Sequence, residues 1–138
     1  MPPREGGAIS RVAIYAREAP GHAGRRRLDR QVAGLAAELA RHPGWSHVAT
    51  YADQPASSSL WERPGLARLL VEAPGRVDLV VVDSYCRLSA NHYELAGIID
   101  RLRWSGVAVV LLRPSRARRL AKLVANLALA DLIGDVAR

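Results

Sequence analysis

The sequence predicts an α/β fold of three layers, a mostly parallel sheet flanked on both faces by helices, with one more helix at the C-terminal end. Three observations carry this. Short β-prone runs alternate with stretches whose apolar residues recur at helical spacing, the pattern of strand-helix-strand units. Val77 to Val82 is almost continuously apolar, which suits a strand covered on both faces rather than one with a wet side. The chain has 138 residues, 49% of them hydrophobic. That length suits a single domain burying about two-thirds of its extended surface, with no room for a second.

In chain order, residues 1 to 10 hold two prolines and two glycines without periodicity and read as a flexible N-terminal arm, so the folded domain is expected over 11–138. Arg11 to Tyr15 is the first strand. A helix begins near Leu28, where Leu28, Val32, Leu35 and Leu39 fall on one face, and Pro43-Gly44 stops it. His47 to Tyr51 reads as the second strand, and Asp53 to Ser59 as a polar loop rich in serine. Pro64 can open the next helix because its missing N–H costs nothing in a first turn, with Leu66, Leu69 and Leu70 as the buried stripe. Val77 to Val82 is the third strand, about Asn91 to Trp104 the third helix with Leu95, Ile98, Ile99 and Leu102 inward, and Val107 to Leu112 the fourth strand. From about Arg116 to Arg138, Leu120, Leu123, Val124, Leu127 and Leu132 repeat at helical intervals. Such a terminal stripe either folds back on the sheet or is buried against another subunit.

Composition narrows the function classes. No apolar run approaches the roughly 18 residues that span a bilayer, and Met1 to Ser10 lacks the apolar core of a secretory signal, so a cytoplasmic protein without a membrane partner is expected. The single cysteine, Cys86, excludes an internal disulfide, and the histidines His22, His42, His47 and His92 lack metal-ligand spacing; neither metal nor cofactor is expected. The net charge is +7, and every basic side chain but Lys122 is arginine. Arginine forks pair bidentately with phosphate, so the balance permits a nucleic-acid partner, although arginine-rich coding bias produces the same surface without function. Arg25, Arg26, Arg27 and Arg30 form one cluster, and Arg113, Arg116, Arg118 and Arg119 another.

Open parallel sheets bind ligands at the carboxyl ends of their strands, and polar residues gather there in this sequence. Arg17 follows the first strand, Asp53 and Ser57 the second, Arg87 the third, and Arg63 stands at a helix start. Cations converging on one edge cost stability unless an anion neutralises them, and phosphate is the natural anion.

Tyr15-Ala16-Arg17, Leu28 to Val32 (Leu-Asp-Arg-Gln-Val), Gly44-Trp45, Tyr51-Ala52-Asp53, Ser57, Arg63-Pro64-Gly65-Leu66, Val77 to Val82 and Arg87-Leu88-Ser89 occur in the order, and nearly the register, of the resolvase/invertase family of serine recombinases. Each piece is weak alone; together they span about residues 11 to 112, and the chain resembles that family's catalytic domain. The resemblance implies a resolvase-like fold. It implies a chemistry in which a serine attacks a DNA phosphodiester to give a 5′-phosphoserine link while arginines hold the phosphate. Carried over by position, Arg17, Arg63 and Arg87 match active-site arginines, Asp53 and Ser57 the loop Asp and Ser, and Tyr15 and Gln31 positions near the site.

The nucleophile position is Ala19, which has no heteroatom to attack phosphorus. Where the family reads Asp-Arg-Leu-Ser-Arg, this chain reads Cys86-Arg87-Leu88-Ser89-Ala90, losing an acid and an arginine. Pro20 to Arg27 reads as an altered and lengthened loop that lacks the family's glutamine. The chain is therefore expected to be a degenerate member that does not cut DNA. It is expected to dimerise, or to pair with an active recombinase, through the helix around Leu120 to Leu132, and to touch DNA weakly and without sequence preference. It stops at Arg138, where active members continue into a DNA-reading region, and no such region is expected in it.

Two other readings remain open at this point. One is a DNA-processing protein that uses another nucleophile or a partner's site; Cys86 lies beside Arg87, although a lone cysteine is more often a small packing residue. The other is a nucleotide or small-anion site on the same edge, disfavoured because no glycine-rich phosphate loop follows any strand. Ser57, Ser58 and Ser59 are weighed as turn formers, and His22 and His92 as surface residues.

Overall fold

In the computed structural model, residues 8–56 and 62–113 are described. Ser57 to Ser59, most of the N-terminal arm, the second arginine cluster beyond Arg113 and the expected terminal helix with its Leu120 to Leu132 stripe lie outside the described residues.

The elements run β1 (Ser10–Arg17), α1 (His22–Ala40), β2 (Trp45–Asp53), α2 (Pro64–Glu72), β3 (Leu79–Val82), a 3₁₀ turn (Tyr85–Arg87), α3 (His92–Trp104) and β4 (Ala108–Leu111). Among the described residues, all pairings of these four strands are parallel, in the order β2-β1-β3-β4. Strand alternation divides the core into two layers. Val12, Ile14, Leu79 and Val81 pack with Leu35 and Leu39 of α1 on one face. Ala13, Tyr15, Val80 and Val82 pack with Leu66 and Leu69 of α2 and with Ile98 and Leu102 of α3 on the other. The result is the predicted three-layer α/β/α arrangement.

The strand order reverses between β1 and β3. The chain leaves β1 for α1 on one face, and leaves β3 for α3 on the opposite face. Helices that depart to opposite sides open a crevice at the carboxyl ends of the two strands, the usual ligand position of such sheets. Arg17 ends β1, and Arg87 lies in the 3₁₀ turn just after β3.

The strands run somewhat differently from their sequence signals: β1 and β2 are longer, β3 and β4 slightly shorter. The larger correction concerns α1, which starts at His22 and not near Leu28, so most of the expected loop from Pro20 to Arg27 is helix. Gly21, with φ of 94°, turns the chain into it, and Arg25 pairs with Asp29 one turn on. The first turns carry arginines on their exposed face, so no apolar stripe marks them before Leu28. What they bury is Gly24: a Cβ there would run into the Ala19 carbonyl, and only glycine lets the helix approach so closely. In α2, Pro64 occupies the first turn as expected, and in α3 the Asn91 side chain accepts from the Tyr93 and Glu94 amides and caps the helix.

Candidate functional site

Tyr15, Asp53 and Arg63, from three separate elements, form one buried network. The Tyr15 hydroxyl donates to Asp53 Oδ2 at 2.8 Å and accepts from Arg63 Nη2 at 2.8 Å and Nε at 3.2 Å. Asp53 also accepts from the Gly65 amide at 2.7 Å and the Leu66 amide at 2.9 Å, so a carboxylate at the end of β2 satisfies the first free amides of α2. Gly65 is required there, because a Cβ would lie 2.6 Å from the Ala52 carbonyl oxygen. Burial pushes the Tyr15 phenol well above its ordinary pKa; Arg63 opposes this and Asp53 reinforces it.

Arg63 is completely buried. Besides Tyr15, its guanidinium donates to the Leu88 carbonyl and, at 2.7 Å, to the Arg87 carbonyl. Glu94 Oε1 stands 3.8 Å from Nη1, a charge contact rather than a hydrogen bond. All three guanidinium nitrogens thus face protein acceptors. The residue holds the segment after β3 against the ends of β1 and β2.

The two other arginines lie at the mouth of the crevice, half-buried; Arg17 bonds to the turn that carries Arg87, and Arg87 to the end of β1. Arg17 Nη2 donates to the Cys86 carbonyl at 2.8 Å, and Arg87 Nη1 donates to the Arg17 carbonyl at 2.9 Å. Gln31 fastens the Arg17 backbone like a strand partner, accepting from its amide at 3.0 Å and donating to its carbonyl at 3.2 Å. Arg87 Nε also donates to Asp83 at 2.9 Å. Burial works against the Arg87 charge, but Asp83 and Glu18 outweigh it and its pKa is raised. Arg17, Arg63 and Arg87 therefore meet through the carbonyls of residues 17, 86, 87 and 88.

Ala19 is exposed in the bend between β1 and α1. Gln54 Nε2 donates to its carbonyl at 3.1 Å and to that of Gly21 at 3.2 Å, and Gly24 packs against it, so the bend has a defined position. Cys86, expected as a packing residue, is exposed on the 3₁₀ turn with its sulfur 3.0 Å from Ser84 Oγ. The turn projects it outward while Leu88 takes the buried place beneath. Ala90, His22 and His92 are exposed.

Sequence reasoning passed over several residues of this edge. Glu18 pairs with Arg87 Nη1 and Arg27 Nε, each at 3.2 Å, and Asp83, Glu94 and Gln54 supply the contacts above. Asp83 was open to discovery, since it precedes Arg87 by one turn. The partners of Glu18, Glu94 and Gln54 come from distant segments that only the fold brings together.

A family model described as "Resolvase, N terminal domain" matches residues 12–137. Among solved structures, the C-terminal catalytic domain of ISC1926 TnpA, an IS607-like serine recombinase, is 25% identical with a TM-score of 0.65, over 89% of this chain and 85% of that one. The C-terminal catalytic domain of IS1535 TnpA, also an IS607-like serine recombinase, is 30% identical with a TM-score of 0.52, over 72% and 69% of the two chains. The N-terminal catalytic domain of TP901-1 integrase, at 24% identity and a TM-score of 0.63 over 91% and 98%, shares the fold. No relative was found among curated proteins.

Proposed function

The chain belongs to the family of resolvase N-terminal domains, and from that premise we propose that it is a recombinase-type catalytic domain that does not cut DNA. The observation that carries this reading is at residue 19: the position matching the family's nucleophile is an exposed alanine in a bend fixed by Gln54 and Gly24. A methyl group has no lone pair to offer phosphorus, and phosphoryl transfer by this route requires an oxygen at that place. The rest of the edge agrees with the reading. Cys86 and Ala90 stand where the family has an acid and an arginine, and Arg63 is turned inward as a positioning residue.

What such a domain retains is binding. Arg17 and Arg87 at the crevice mouth are placed to meet a phosphodiester, with Tyr15, Asp53, Arg63 and Gln31 holding them in position. Contacts of this kind go to the phosphate backbone and carry no sequence information, so DNA binding is weak and sensitive to salt. The apolar stripe from Leu120 to Leu132 supports assembly with a second copy or with an active recombinase, which the domain would regulate by joining a complex it cannot help to cleave.

Incubation with supercoiled plasmid tests the catalytic half of the proposal: the expected result is plasmid that stays supercoiled over hours, and nicked or linear product overturns it. Light scattering across a concentration series tests the assembly half, with a dimer expected and a strict monomer at high concentration removing it. One observation favours a second reading, the exposure of Cys86 on the same edge. Under that reading, any cleavage disappears in Cys86→Ala.

A further inference from the structure

Among the described residues, Glu18 is the one carboxylate that pairs with both the arginine edge and the basic face of α1. Its Oε1 lies 3.2 Å from Arg87 Nη1 and accepts from Gln31 Nε2 at 3.3 Å, while Oε2 accepts from Arg27 Nε at 3.2 Å. Both oxygens are thus engaged by cationic or amide donors, and the side chain is only 15% exposed. Its backbone is fixed as well, since the Glu18 amide donates to the Asp53 carbonyl at 3.2 Å and continues the ladder past the end of β1. Charge-assisted donors meeting both oxygens are how proteins hold carboxylate and phosphate anions alike, and here the held group belongs to the chain itself.

The surrounding charges sharpen the point. Arg25 is matched by Asp29 and Arg63 faces Glu94, whereas Arg17 has no carboxylate partner among the described residues and its guanidinium bonds only to the Cys86 carbonyl. Arg26 and Arg30 likewise have no ion pair among the described residues. The region is therefore short of negative charge even with Glu18 in place. An incoming phosphate gains from Arg17 but meets the Glu18 carboxylate on Arg87.

We propose that Glu18 is a built-in substitute for the phosphate: it occupies the Arg87 and Arg27 donors, holds the edge together without ligand, and keeps phosphodiester binding weak. This rests on the reading of the Arg17 and Arg87 edge as a phosphate site. With the charge removed, Arg87 and Arg27 become available and the edge takes one more phosphate contact.

The test uses the full chain and a short fluorescent duplex DNA of arbitrary sequence, read by anisotropy over a salt series, with circular dichroism and melting confirming each variant's fold. Glu18→Gln keeps the shape and one acceptor, and Glu18→Ala serves as the second variant. Both are expected to bind several-fold tighter than the parent at low salt, with the plot of log affinity against log salt steeper by about 0.9, the value of one added phosphate contact. Asp29→Asn makes the same change in net charge on the exposed face of α1, and is expected to give much less gain. If Asp29→Asn matches Glu18→Gln, the effect is general charge and the proposal falls. Arg17→Ala separates this proposal from the reading beneath it. Weaker binding in Arg17→Ala together with no gain in Glu18→Gln leaves the phosphate edge standing and removes the role of Glu18. Binding indifferent to Arg17→Ala in both the parent and Glu18→Gln backgrounds removes the phosphate edge itself.

Discussion

Arg63 shows how far one residue's identity can be read before its role is known. Its place at the start of a helix was legible in the Arg63-Pro64-Gly65-Leu66 run; its orientation was not, because the groups that turn it inward come from β1, from the segment after β3 and from α3. Removing a buried charge's partner leaves the other groups uncompensated, so Arg63→Met is expected to cost about 3 kcal/mol in urea unfolding. A loss under 1 kcal/mol would mean that the network is not what holds the β3 segment. Tyr15 supplies a pH prediction. Its folded pKa is raised, with burial the largest cause, so below about pH 10 both folded and unfolded chains keep the phenol neutral and its full contribution is present. Above that value the unfolded chain ionises first, and stability falls by up to about 1.4 kcal/mol per pH unit on this account. Urea midpoints measured from about pH 8 to about pH 12 should fall more steeply in the parent than in Tyr15→Phe; equal slopes contradict the assignment. On the proposed reading of Ala19 as the nucleophile position, adding a hydroxyl there alone is expected to fail. Groups that act as a unit lose most of their effect, on the order of a millionfold, when any one is absent, and the same reading has residues 86 and 90 departing from the family pattern too. Plasmid nicking by Ala19→Ser would contradict a loss spread across the site.

At the scale of elements, the apolar stripes of α1, α2 and α3 were legible because Leu28, Leu35, Leu66, Leu69, Ile98 and Leu102 repeat at helical spacing and are all buried. The first turns of α1 were not, since they pack through Gly24 rather than through a large side chain, and a glycine after Pro20-Gly21 reads as loop. The same local pattern hid the 3₁₀ turn, which is only Tyr85–Arg87 long and carries no buried side chain. The glycines give predictions of opposite sign. Gly24→Ala and Gly65→Ala drive a methyl into backbone carbonyls of Ala19 and Ala52, and each is expected to cost about 1–3 kcal/mol, lowering the melting temperature. Gly34→Ala, in an exposed and open position of α1, is expected to stabilise by about 0.5–1 kcal/mol through helix propensity. If all three shift the melting temperature alike, close approach is not what selects glycine at residues 24 and 65.

For the molecule as a whole, the alternation of strands and helices made the parallel sheet legible, while the order β2-β1-β3-β4 came from the fold. That order matters for the proposed function because it puts Arg17 and Arg87 on the two sides of the switch between β1 and β3, where Arg17 donates to the Cys86 carbonyl and Arg87 to the Arg17 carbonyl. Sequence motifs located the edge; of the protein's own anions on it, Asp83 lies one turn before Arg87, whereas Glu18 became visible only once distant segments had met. On the proposed reading, a resolvase-type domain with its arginines so occupied keeps the family's fold and lacks the oxygen that would begin DNA cleavage. The most direct test is to mix the purified chain with supercoiled DNA, quench in denaturant, digest the DNA and weigh the protein by mass spectrometry. The account predicts only the unmodified mass, whereas a fraction carrying a covalent nucleotide on any residue would contradict it.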